Sequence, residues 1–279
     1  MRFLFIIPVM VFTFGAVAQE LKTETIVETK KSKGFLSNFS GSLSLTGNSD
    51  FKETNNSSKT YNSEISTLIN YKLDKDDSLR FDISMSKDLE NNYEETLGDG
   101  RISHTRSGVY SYKNYTLGIR TSLRIPLSES SIKKDRIKTA LELNLLNSFN
   151  LDNYVTGLSF TYIPRYRRFF NEFKTDINGN NLVEQNLINI LVLGWQTTEK
   201  VSLSSTVVYI LSRGYNGADS PNSYSTAQDI TYSFNSIASA NIGIQTGGSI
   251  RSYERGTDTS IEFFDINKTS FYTGLNLAF

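Results

Sequence analysis

The chain has 279 residues, with 29 Lys and Arg against 29 Asp and Glu, and so carries no net formal charge. That balance gives no electrostatic reason to bind nucleic acid. Cysteine is absent, which excludes disulfide staples, thiolate metal sites and a lipid-modified N-terminal cysteine.

Residues 1–18 read as a signal peptide. Arg2 supplies a positive start, Phe3 to Phe14 an apolar run, and Ala16-Val17-Ala18 a small-x-small cleavage site before Gln19. The run is interrupted by Pro8 and falls short of the roughly 20 apolar residues that a spanning helix needs. No later stretch approaches that length, so a membrane crossing by this chain requires strands closed into a barrel. Residues 19–33 are polar and charged and read as a periplasmic lead-in.

From residue 34 to 279 the pattern changes to a period of two. Phe39, Gly41, Leu43 and Leu45 alternate with serines; Tyr61, Ile65, Thr67, Ile69 and Tyr71 alternate with Asn62, Glu64, Ser66 and Asn70. Leu79 to Met85 and Tyr115 to Leu123 repeat the pattern. Further strands are expected near 102–113, 137–149, 154–163, 186–196, 201–211, 224–234, 238–251 and 267–279. About twelve segments of roughly ten residues suit the tilted strands of a transmembrane, antiparallel up-and-down β-barrel, an all-β fold.

The linkers separate this from a soluble sandwich. Long ones lie near 47–59, 88–101, 126–136, 164–185, 212–223 and 252–265; short ones near 73–77, 113–114, 150–153, 197–200 and 235–237. Strict alternation of long and short is expected when one end of a barrel faces the medium and the other the assembly side. Aromatics follow suit, with Phe39, Tyr71, Tyr110, Tyr112, Tyr115, Tyr154, Tyr232, Phe234 and Phe279 at the short-turn ends. Tyr61, Tyr162, Tyr166, Tyr209 and Tyr224 are expected toward the outer rim.

The last ten residues, Ser270 to Phe279, end in an aromatic with Leu277 and Leu275 alternating before it, Gly274 five positions from the end and Tyr272 two before that glycine. This end resembles the C-terminal recognition strand of Gram-negative outer-membrane β-barrel proteins. The resemblance implies an outer-membrane location and recognition of Tyr272, Gly274, Leu277 and Phe279 by the barrel-assembly machinery. Tyr272 is also expected to cover a glycine on the same inner wall.

Chemistry in the wall is sparse. His104 is the only histidine, so no metal site or cofactor is implied. Twelve-stranded outer-membrane phospholipases are similar in strand number and use a His and a Ser two apart on one face. Here Arg106 stands two after His104 and Ser107 faces the other way, so no catalytic residue is assigned and a hydrolase ranks last. Asp176 to Asn181 reads as an Asn-Gly turn before it reads as a calcium loop. Arg165, Arg167 and Arg168, taken as part of the long linker, are expected at the outer rim, facing lipopolysaccharide phosphates or solvent.

Alternation turns Glu64, Lys72, Arg80, Asp82, Arg120, Arg124, Lys138, Glu142, Asp229 and Arg251 inward. So many charges suit a watered lumen better than a dry core. They read either as a constriction that selects small solutes or as a network that stiffens the wall. Twelve tilted strands give a bore of about 12 Å between side chains, with a slight excess of cations. The leading expectation is a porin-like passive channel; the alternative is a non-conducting structural or adhesion barrel that acts through its loops.

Overall fold

The computed structural model describes residues 35–51, 60–90, 93–250 and 261–279. The expected signal peptide and lead-in lie outside the described residues. Each alternating run becomes a strand, because a pleated chain with one apolar and one polar face satisfies both a greasy exterior and a wet interior. The strands are β1 (Phe39–Asp50), β2 (Tyr61–Lys72), β3 (Asp77–Asp88), β4 (Glu95–Leu97), β5 (Gly100–Tyr112), β6 (Tyr115–Ile125) and β7 (Ile137–Asn150). They continue as β8 (Leu158–Asn171), β9 (Val183–Gln196), β10 (Val201–Gly214), β11 (Asp219–Ser233), β12 (Ala238–Ser249) and β13 (Thr269–Ala278).

Apart from three-residue β4, which adds to the upper end of β3, twelve strands pair antiparallel with their neighbours around a closed ring. β1 pairs with both β2 and β13, which joins the two ends of the wall. Closure leaves the twelve-strand ring without a free edge, so its ladder donors and acceptors are met between neighbours except where bulges and gaps break the register. The chain therefore folds as an all-β, twelve-stranded up-and-down barrel.

The seam is fastened by Gly41 and Phe279, whose amides exchange hydrogen bonds of 2.8 and 3.0 Å. Outside, Leu43, Leu45, Ile65, Leu79, Met85, Leu141, Leu143, Leu193, Ile242, Leu275 and Leu277 are all exposed. An exposed apolar belt around the whole wall is what lipid selects and water penalises. Below it runs a chain of rings at the short-turn end: Phe39 on Tyr71 at 4.8 Å, Tyr115 on Phe149 at 4.9 Å, and Tyr232 on Phe234 at 5.3 Å. Near the long-loop end of β11–β13 the outward row is instead Thr226, Thr246 and Thr269. These are buried, and Thr246 Oγ1 donates to the Phe263 carbonyl at 3.1 Å, so the end of the last long loop lies against the wall there.

Two strands differ most from expectation. β11 starts at Asp219 where a long linker over 212–223 was expected, leaving only residues 215–218 between it and β10. β8 runs from Leu158 to Asn171, whereas the sequence pattern suggested 154–163; residues 151–157 form the preceding turn. Pro164 and the arginines after it look like a loop, but Pro164 lies where the β7–β8 ladder is interrupted, between the Asn144–Arg165 and Asn147–Tyr162 pairs. A residue without an N–H is tolerated at such a gap. Tyr162 consequently sits in the short-turn half of β8 and not at the outer rim. In β5 a bulge between Arg106 and Tyr110, with Gly108 at φ 62°, breaks the register. Arg106 stays outward, where its guanidinium reaches Asp77 at 3.8 Å and His104 Nε2 meets the same carboxylate at 3.0 Å.

Candidate functional site

Register aligns the inward side chains of β3 and β5–β8 into rows. Asp82, Arg101, Arg124 and Ala140 form the row nearest the long loops. Arg80, Ser103, Ser122, Glu142 and Arg167 form the second. Thr105, Arg120, Asn144 and Arg165 form the third. Rows on one strand face are about 6.6 Å apart and strands about 4.7 Å, so six guanidiniums occupy a patch of wall roughly 13 Å tall and roughly 19 Å wide.

Glu142 is the hub, with its side chain 1 % exposed. Arg167 Nε donates to it at 2.5 Å, while Arg101 and Arg165 approach its other oxygen at 3.7 and 3.9 Å. Arg165 Nε also donates to Asn144 Oδ1 at 2.5 Å, and Asn144 Nδ2 returns a bond to the Arg120 carbonyl at 3.2 Å. Arg101 binds Asp82 through Nε and Nη2, and Arg80 flanks the same carboxylate at 3.4 Å. Arg120 Nε donates to Thr105 Oγ1 at 3.0 Å.

Above the first row, the Asp99 carboxylate accepts from Arg124 Nε at 2.7 Å, from the Leu127 and Ser128 amides, and from Ser131 Oγ at 2.6 Å. This ties the loop between β6 and β7, with its single helical turn Ser130–Lys134, to the start of β5. Burial alone would raise the Asp99 carboxyl; the Arg124 charge and the serine hydrogen bonds outweigh it and hold it below the ordinary range. Among the described residues, six guanidiniums thus face three carboxylates, Asp82, Asp99 and Glu142.

The remaining wall is different. Directly beside Arg165 stands Ile188, which with Ile163, Ile190 and Val208 makes a buried apolar cluster on the inner face of β8–β10. Farther round, the inner wall is small and polar: Ser44 Oγ donates to Asn276 at 2.6 Å and Asn276 Nδ2 to Asn241 at 3.1 Å. Asp229 accepts from Ser204 at 2.7 Å and from the Tyr272 hydroxyl at 3.3 Å.

Most inward residues expected from alternation do face the lumen: Glu64 beside Ser84, Arg80, Asp82, Arg120, Arg124, Glu142 and Asp229. Lys138 does not. Ile137 and Thr139 pair with consecutive residues Asn171 and Phe170, so Lys138 is the extra residue of a bulge and is exposed. Arg251 lies outside the described residues. Arg165 and Arg167 are corrected from outer rim to lumen wall, because β8 extends through them; only Arg168 points outward, paired with Glu184 at 2.8 Å. Arg101 and the apolar cluster were missed. Arg101 precedes the expected strand, and Leu187 to Leu193 is apolar on both faces apart from Asn189, so alternation could not orient it.

Tyr272 lies over Gly243, where an added Cβ would fall 2.6 Å from the ring. The Asp176 carboxylate accepts from the Asn178 and Asn180 amides at 2.8 Å and closes a turn with Gly179 at φ 79°.

A closed twelve-stranded wall with an apolar outside and a charged inside is the architecture of outer-membrane β-barrel proteins. Solved structures superpose on this chain, two of them as follows. An outer membrane channel from Pseudomonas putida F1 superposes with a TM-score of 0.59 at 8 % identity, covering 91 % of this chain and 98 % of that one. The NanC porin superposes with a TM-score of 0.56 at 8 % identity, covering 84 % and 98 %. No family model matches the sequence, and no curated protein matches it.

Proposed function

We propose that the chain resides in the outer membrane and acts as a narrow passive channel that favours small anions. The observation that carries this reading is the arginine lattice around Glu142, placed on the inner wall of a barrel whose outside is apolar. Fixed positive charge in a confined aqueous path lowers the barrier for anions and raises it for cations. Asp82, Asn144 and Glu142 hold the Arg101, Arg165 and Arg167 guanidiniums in place by hydrogen bonds, so their charge is fixed on the wall. Being a channel, it needs no chemistry, and none of its groups is assigned a catalytic role.

Single-channel recording across a potassium chloride gradient tests the proposal. The expected result is stepwise conductance with a reversal potential on the chloride side. Correctly folded protein that inserts without conducting would make the lattice a structural brace instead.

A further inference from the structure

We propose that a cleft at the short-turn end of β5–β8 holds a phospholipid headgroup, with its phosphate against Lys113. The cleft measures about 680 Å³ and is walled by Tyr112, Tyr115, Phe149 and Tyr154. Tyr112, Tyr115 and Phe149 belong to the outward face, continuous with Tyr110 and Phe160 in a ladder of rings spaced 4.9 to 6.2 Å. The site therefore opens where the apolar belt ends. It rests on the reading that this wall spans a membrane with its short turns at the headgroup level.

The polar lining is suited to an anion. It contains one cation, Lys113, whose Nζ lies 5.2 Å above the Tyr112 ring, together with Asn114, Asn150 and Asn153, and it contains no carboxylate. The nearby Asp152 carboxylate accepts the Gly157 amide at 2.6 Å. Tyr154 is 82 % exposed, an aromatic held in the open at the rim of the cleft.

Backbone geometry adds an independent argument. Lys113 and Asn114 make the two-residue turn between β5 and β6, and Lys113 has φ 50°. Glycine is the default residue in the left-handed region of such a turn, and a lysine there is strained. A strained side chain at the mouth of a cleft points to use of that side chain. Phosphate is the partner that an ammonium lining the cleft beside the Asn114, Asn150 and Asn153 side chains would recognise. The position at the border of the lipid belt selects a lipid-borne phosphate over a free one.

Native mass spectrometry of the detergent-purified chain, incubated with a fixed excess of phosphatidylglycerol, tests this with Lys113→Gly and Tyr154→Ala. Glycine relieves the turn, so loss of lipid in Lys113→Gly cannot be ascribed to misfolding. Wild type should retain one lipid and Lys113→Gly should bind it about tenfold more weakly, the size of one charge-assisted hydrogen bond. Equal retention by the two, or displacement of the lipid by equimolar inorganic phosphate, would overturn the site. The channel reading is scored separately: conductance should be unchanged in Lys113→Gly. Wild-type chain that stays monomeric in water without detergent would overturn the membrane placement itself.

Discussion

The ring of Phe279 lies across Gly41, so close that a Cβ on residue 41 would fall 2.6 Å from the ring and 2.6 Å from the Leu68 carbonyl. The same two residues exchange backbone hydrogen bonds where the first strand meets the last. Gly41→Ala should therefore destabilise the closed barrel by about 1–3 kcal/mol, the usual cost of overpacking. Urea titration in detergent, read by the gel shift between folded and unfolded forms, measures it. The substitution leaves the C-terminal residues intact, so it separates closure of the seam from recognition of the last strand during assembly. An unchanged midpoint would show that the ring can move aside freely.

Glu142 is the shared counter-charge of Arg101, Arg165 and Arg167. Glu142→Gln keeps the shape and removes the charge, leaving three guanidiniums facing one another in a poorly hydrated wall. Breaking such a buried set from one side costs about 3–5 kcal/mol. Glu142→Gln combined with Arg167→Met should recover much of that loss, since the strongest unpaired cation is gone as well. Denaturant midpoints of the single and double variants check this; a double variant less stable than Glu142→Gln alone would refute the hub role.

The architecture was legible because its signals are collective. Period-two alternation, the long and short linkers and the final Tyr272-x-Gly274 pattern each constrain the same closed sheet, and no single residue decides it. The lattice was legible only in part, because membership depends on strand limits and local register. One bulge at Lys138 turns a side chain outward, and one extension of β8 past Pro164 brings Arg165 and Arg167 inward. A proline followed by three arginines looks the same in sequence whether it starts a loop or occupies a gap in a ladder. Which wall partners Glu142 is likewise a matter of strand neighbours, which alternation does not encode.

Arg167 and Arg168 are adjacent in sequence and opposite in placement, one bonded to Glu142 inside and the other to Glu184 outside. Arg167→Gln should lower the chloride preference and shift the reversal potential toward zero. Arg168→Gln, whose guanidinium is about half exposed at the rim, should leave it unchanged. Reversal potentials of the two variants under the same salt gradient form a paired test. Equal shifts would mean that ions do not sense the inner wall at all.

Asp99 makes the loop between β6 and β7 a pH-sensitive attachment with a low threshold. Its carboxyl is held below the ordinary value, so the folded state favours the ionised form. A depressed carboxyl contributes stability that is complete above the unfolded value of about 4 and is lost as pH falls through the lower, folded value. The attachment should thus be the same at pH 7 and pH 5 and fail only below about pH 4. Asp99→Asn removes the charge facing Arg124 at every pH, and one of its atoms can no longer accept. Limited proteolysis within residues 126–136 should therefore be slow in wild type at both pH 7 and pH 5. In Asp99→Asn it should be fast at both pH values. Cleavage of the wild-type loop that already rises between pH 7 and pH 5 would place the controlling titration elsewhere.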